Sequence, residues 1–142
     1  MTDPLTDVRT GATFRIADLA GKVVFLEGMA TWCPPCVTQQ SEADVALRQL
    51  PPGSIVYISL DIDPREDRAT LAAYADSHHF AWTYAIAGPA LLRHLAAMFG
   101  DPVLSPPATP IIVVDADGSA TLTETGIKTW QRLVEIARKH GA

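Results

Sequence analysis

Residues 22–36 read KVVFLEGMATWCPPC: an apolar run, a short loop, then both cysteines of the chain with two prolines between them. The run at 22–28 is bounded and strongly apolar, which predicts a buried strand. Pro34 suits the first turn of a helix, where the N–H it lacks would be unpaired in any case. A helix is therefore expected from about residue 34 to residue 50, stopped by Pro51, Pro52 and Gly53. A strand thus runs through one tight loop into a helix, and the two thiols sit at that junction.

Two cysteines are too few for a disulfide framework. A bridge across two residues closes a very short loop and constrains the unfolded chain little, so the pair points to chemistry rather than to stability. At a helix N-terminus, unpaired backbone N–H groups and the helix dipole stabilise a thiolate, which makes Cys33 the expected nucleophile. Cys36 lies one turn further in, facing back and less exposed, and would resolve a mixed disulfide formed at Cys33. A structural bridge or two unrelated core cysteines are the bland alternatives. A C-x-x-C that follows a strand and opens a helix favours redox chemistry over both.

The rest of the chain supplies the surroundings. A short strand and turn is expected at 10–21, then strands at 54–62, 81–86 and 111–114. Helices are expected from Pro64, with Leu71, Ala72 and Tyr74 on one face, at 88–100, and at 128–141 with Trp130, Leu133, Val134 and Ile136 inward. Residues 101–110 carry four prolines and fit neither period. A turn at Asp117-Gly118 makes 111–125 a hairpin. The order β, β, α, β, α, β, α, β, β, α predicts one α/β domain over residues 1–142, with helices on both faces of a mixed sheet. A net charge of −5 without a basic cluster argues against nucleic acid as a partner. The longest apolar runs, VVFL and IIVV, fall far short of the roughly 18 residues that span a bilayer. The N-terminus lacks the basic-then-apolar plan of a signal peptide. The chain is then either cytoplasmic or a soluble extracytoplasmic domain whose signal or anchor is absent from it.

GKVVFLEGMATWCPPC resembles the active-site segment of the thioredoxin-like superfamily, and within it the TlpA/ResA/CcmG group of bacterial extracytoplasmic thiol-disulfide oxidoreductases. TGATFRIADLAGK is similar to the N-terminal hairpin of that group, and ATPIIVVDADG to its late strand and hairpin. Residues 57–86 stand where the group has its central β-α insertion. The resemblance implies a thioredoxin fold and exchange of dithiol for disulfide with protein substrates, without a cofactor or metal. Apocytochrome c or copper-site assembly proteins are the kind of substrate implied, with an upstream membrane or soluble reductant, and the chain acting as a monomer outside the cytoplasm. It also implies that Pro110 is a cis-proline facing the cysteines. Thr109 would present its backbone to an extended substrate, the loop would keep metal off the dithiol, and Trp32, Pro34 and Pro35 would complete the substrate-contacting set.

The departures from that pattern are informative. Where relatives carry a glutamate three residues after the second cysteine, this chain has Gln39, which cannot take a proton. Glu27 stands where thioredoxins place a buried aspartate. It shares strand parity with Val23 and Phe25, and a buried carboxylate near Cys36 would have a raised pKa and could accept its proton. A strand-end glutamate in solvent is the alternative. Gly28-Met29 replaces an aromatic pair and should leave a smaller, softer surface behind the site. His78, His79, His94 and His140 form no pair with zinc-ligand spacing. A Sco-like copper role would want C-x₃-C and a histidine before the late strand. A peroxidase would want a threonine three residues before its reactive cysteine. A non-catalytic thioredoxin-like binding domain is the remaining alternative.

Overall fold

A computed structural model describes residues 1–142. Its centre is the predicted apolar run, β3 (Val23–Met29), buried along its whole length because it has neighbours on both edges and layers on both faces. β4 (Ile55–Asp61) pairs parallel to it and β6 (Ile111–Val114) antiparallel, each entirely or almost entirely buried. With β1 (Leu5–Asp7), β2 (Thr13–Phe14), β5 (Thr83–Ile86) and β7 (Ala120–Leu122), these make one mixed sheet in the order β2-β1-β5-β4-β3-β6-β7.

Strand alternation sorts the core into two layers. Val23, Phe25, Tyr57, Ile111 and Val113 pack under α1 (Pro34–Gln49) and α4 (Trp130–Lys139). α2 (Arg68–Ser77) covers the same face further along, over Met29, Tyr84 and the two cysteines. Val24, Leu26, Ile58, Leu60, Ile112 and Val114 face the other way, beneath α3 (Pro89–Phe99). Helices on both faces of a mixed sheet, as expected, therefore divide three to one.

Three local expectations need correction. The N-terminal hairpin contains a strand at Leu5–Asp7 that the polar flanking sequence concealed, and beyond Phe14 the chain turns into a 3₁₀ segment, Ile16–Leu19. α2 starts not at Pro64 but after Asp67, whose carboxylate accepts the Thr70 N–H at 2.8 Å as an N-cap. The proline-dense stretch forms two short 3₁₀ turns, Asp101–Leu104 and Pro106–Ala108.

Candidate active site

Cys33 is the N-cap of α1, with extended backbone, and its Sγ accepts the Cys36 N–H at 3.2 Å. Pro34 and Pro35 start the helix without forfeiting a backbone bond. The two cysteines are joined as a disulfide with their Cα atoms 5.3 Å apart. Cys36 Sγ lies 3.4 Å from the Pro106 carbonyl oxygen. In the reduced state the same positions suit a thiolate at Cys33, receiving an N–H, and a protonated thiol at Cys36, donating to a carbonyl. The expected difference in exposure is absent from the disulfide form: both cysteines are buried. What separates them is hydrogen bonding.

Trp32 stands half in solvent, its Nε1–H donating to Asp63 at 2.7 Å. Arg65 pairs with the same carboxylate and holds it well below the usual carboxylate range. Glu66 accepts both the N–H and the hydroxyl of Thr31, so the segment after β4 braces the loop leading into the cysteines. Asp61, beneath this brace, is raised to about 8 by burial with Glu66 and Asp63 close by, and its Oδ2 has no partner. In the sequence Glu66 suits only the first turn of a helix, and nothing marks Asp61 or Asp63, because these roles arise only when β4 is laid beside β3.

Glu27 is fully buried, as its parity with Val23 and Phe25 requires. Its register partner on β4, Ser59, donates to Oε1 at 2.6 Å, and Gln40 Nε2 donates to Oε2 at 3.1 Å. Tyr84 donates to Gln40 Oε1 at 2.6 Å and Trp82 Nε1 to Ser59 Oγ at 2.9 Å, completing a polar cluster under α1. Burial outweighs these bonds and pushes the carboxyl up to about 8. Its hydrogen bonds reach Gln40, four residues along the helix from Cys36, and not Cys36 itself.

Pro110 is not cis: the structure holds no cis peptide bond. Thr109 makes the turn instead, with φ 47° and ψ 55°, a left-handed conformation uncommon for a β-branched residue. That turn directs its backbone inward. The Thr109 N–H donates to the Pro106 carbonyl at 2.9 Å, and its own carbonyl accepts from Lys128 Nζ at 3.0 Å. Both main-chain polar groups of Thr109 are thus engaged within the fold. Pro110 itself is buried, packed over Gly28, whose N–H donates to the Pro110 carbonyl at 3.0 Å. A Cβ at Gly28 would stand 3.1 Å from the proline ring and 3.3 Å from the Val103 carbonyl. The glycine expected to leave a softer surface in fact makes room for the proline.

Gln39 is buried too, bonded through its amide to both backbone groups of Lys128. The histidines are dispersed: His94 pairs with Asp3, His140 with Asp115, His78 stacks on Phe80, and His79 follows the end of α2. No group of three or more histidine, cysteine, aspartate or glutamate side chains is arranged to hold a metal ion. No helix is long and apolar enough to cross a membrane.

Solved structures with this arrangement of strands and helices span nearly the whole chain. A thiol:disulfide interchange protein of the thioredoxin family from Chlorobium tepidum superposes with a TM-score of 0.78 at 20% identity, covering 98% of this chain and 92% of that one. The fold is that of thioredoxin. A secreted Mycobacterium tuberculosis disulfide oxidoreductase shares it at 0.71 and 17% identity, over 97% of this chain and 96% of that one. The exposed lipoprotein thioredoxin of Streptococcus pneumoniae shares it at 0.74 and 16% identity, over 98% and 99%. By sequence, a probable nucleoredoxin 3 from rice is 41% identical over 63 residues, which spans 41% of this chain and 13% of that protein. No family model matches the chain.

Proposed function

We propose that this thioredoxin-fold chain is a thiol-disulfide oxidoreductase that reduces protein disulfides. The observation that carries the reading is the Cys33–Cys36 disulfide at the start of α1, with an N–H aimed at Cys33 Sγ and a carbonyl beside Cys36 Sγ. In the dithiol form the Cys33 thiolate attacks one sulfur of a substrate disulfide and expels the other as a thiolate, which takes a proton from water. Cys36 then gives up its proton toward the ionised form of Glu27, the minor form below pH 8, and attacks Cys33 Sγ. The substrate's second thiolate leaves, the chain ends as the disulfide, and two electrons have passed to the substrate. Since Glu27 does not touch Cys36, the proton crosses an intervening water or side chain. A separate dithiol reductant, membrane-bound or soluble, must restore the pair.

The finer assignment is a TlpA-like reductant working outside the cytoplasm, as one monomeric domain on targets such as apocytochrome c or copper-site assembly proteins. It is supported by the CPPC segment and by fold neighbours that are described as secreted or as an exposed lipoprotein. Reduction of insulin by dithiothreitol tests the activity: the chain should accelerate it, and Cys33→Ser should return the rate to the uncatalysed level. Iodoacetamide mapping near pH 7 tests the roles. Cys33 should be modified first, and preferential modification of Cys36 would reverse them.

A further inference from the structure

Thr31 and Trp32, the two residues that lead into Cys33, are both tied to the short segment that follows β4. Thr31 donates its N–H to Glu66 Oε1 at 2.8 Å and its hydroxyl to Glu66 Oε2, so one carboxylate holds the residue at two points. Trp32 Nε1–H donates to Asp63 Oδ2 at 2.7 Å. The segment is itself fixed. Its Ile62 N–H donates to the Met29 carbonyl at 2.9 Å, the Asp63 N–H to Asp61 Oδ1 at 3.0 Å, and the Glu66 N–H to the Asp63 carbonyl at 3.1 Å. Arg65 adds two bonds to Asp63, from Nε at 3.0 Å and Nη2 at 2.7 Å.

Packing does little to fix the two residues that are held. Ala30 and Cys33 are buried, but Thr31 between them is half-buried and Trp32 stands half in solvent. The loop's own bond, from the Cys33 N–H to the Ala30 carbonyl, is long at 3.3 Å. Yet the geometry at Cys33 depends on this approach. Its Sγ accepts the Cys36 N–H at 3.2 Å only while Cys33 keeps the extended N-cap backbone, φ −94° and ψ 105°. Behind the clamp, Asp61 is buried, and no donor reaches its Oδ2. An uncharged Asp61 carboxyl tolerates the Glu66 carboxylate beside it, whereas a second buried charge would repel it.

Charge and geometry assign Glu66 opposite effects. A carboxylate placed near a thiolate disfavours it by repulsion, so as a charge alone Glu66 would make Cys33 a poorer nucleophile. As a clamp it does the reverse. We propose that Glu66 is a positioning residue for the exchange reaction: by holding Thr31 it keeps Cys33 at the N-cap of α1, where the sulfur receives the Cys36 N–H as a thiolate. The proposal rests on the thiol-disulfide reading and adds a residue outside the CPPC segment that sets the reactivity of the nucleophile.

The rate of iodoacetamide alkylation against pH, on the reduced full chain with adducts mapped by mass spectrometry, gives the pKa of Cys33 and tests the assignment. The variants are Glu66→Ala, Glu66→Gln, Thr31→Val and the double variant Thr31→Val with Glu66→Ala. Glu66→Ala should raise the Cys33 pKa by about 0.5, the opposite of what loss of a neighbouring negative charge does. Alkylation at pH 6 should slow about twofold, because the more basic thiolate returns part of the loss. Glu66→Gln loses the charge but keeps an oxygen for the Thr31 N–H and an amide N–H for its Oγ1, so its pKa should equal that of wild type or lie below it. Thr31→Val keeps the charge and loses one bond, and should shift the pKa upward by a smaller step. The double variant should match Glu66→Ala, because both changes break one contact. A Cys33 pKa that is unchanged or lowered in Glu66→Ala overturns the proposal, as does a Glu66→Gln no closer to wild type than Glu66→Ala. Thr31→Val decides the matter if Glu66→Ala does not fold: an unshifted pKa there overturns it. A wild-type chain that fails to reduce insulin overturns the exchange reading, whereas the alkylation series needs no disulfide substrate and judges the Glu66 clamp by itself.

Discussion

Glu27 keeps its proton to about pH 8 in the fold, whereas an exposed glutamate loses it near 4.5. Between those values the unfolded chain binds fewer protons than the folded one, so the stability contributed by Glu27 is full below 4.5 and is lost as pH rises through 8. Glu27→Gln removes that loss. Its stability relative to wild type, from urea unfolding at pH 5 to 9, should improve by up to about 1.4 kcal/mol per pH unit toward pH 8 and level off above. A flat difference would mean that Glu27 does not titrate in this window. Turnover of the variant should lose its dependence on the same proton, with a longer-lived mixed disulfide at Cys33. The burial of Glu27 was legible because a strand has a two-residue period and Val23 and Phe25 announce which side is inside. Lys128 was not legible. Lysine in a loop before a helix reads as solvated, and only the closure of 124–128 over Thr109 and Gln39 takes it out of water. Thr109 shows the reverse case: a resemblance assigned its backbone to substrate, while the ammonium beneath it draws the carbonyl inward.

Elements follow the same logic with boundaries as the weak point. α1 was legible within a residue at each end because Pro34 opens it and Pro51-Pro52-Gly53 closes it. The start of α2 was not, since Pro64, Glu66 and Asp67 all suit a first turn. The choice fell to Asp67 because Asp63 and Glu66 are engaged with Trp32 and Thr31. Asp67→Ala should cost about 1 kcal/mol of stability by urea unfolding, the usual worth of an N-cap. β3 offers a sharper test at its close approach to Pro110. Gly28→Ala should destabilise by about 1–3 kcal/mol, as added volume does in a filled site, because the proline ring and the Val103 carbonyl must both shift. No change in the urea midpoint would show that the ring has room.

Across the whole molecule, alternation of strand and helix patterns was enough to foresee a mixed sheet covered on both faces, since each apolar face needs a partner layer. The disulfide contributes little to holding that assembly together. It spans a sequence separation of 3, so its reduction should lower stability by only about 2 kcal/mol on loop-closure grounds, read as a modest shift in the urea midpoint between oxidised and reduced chains. A loss several times larger would make the bridge a staple. The sheet's outermost strands are short: β2 has two residues and β7 three. Each exposes too few unpaired main-chain groups to template another strand, and a long β-rich neighbour finds no ledge on which to build. On the proposed function, in which the chain meets disulfide-bearing polypeptides, it is thereby kept from joining their aggregates through its own sheet.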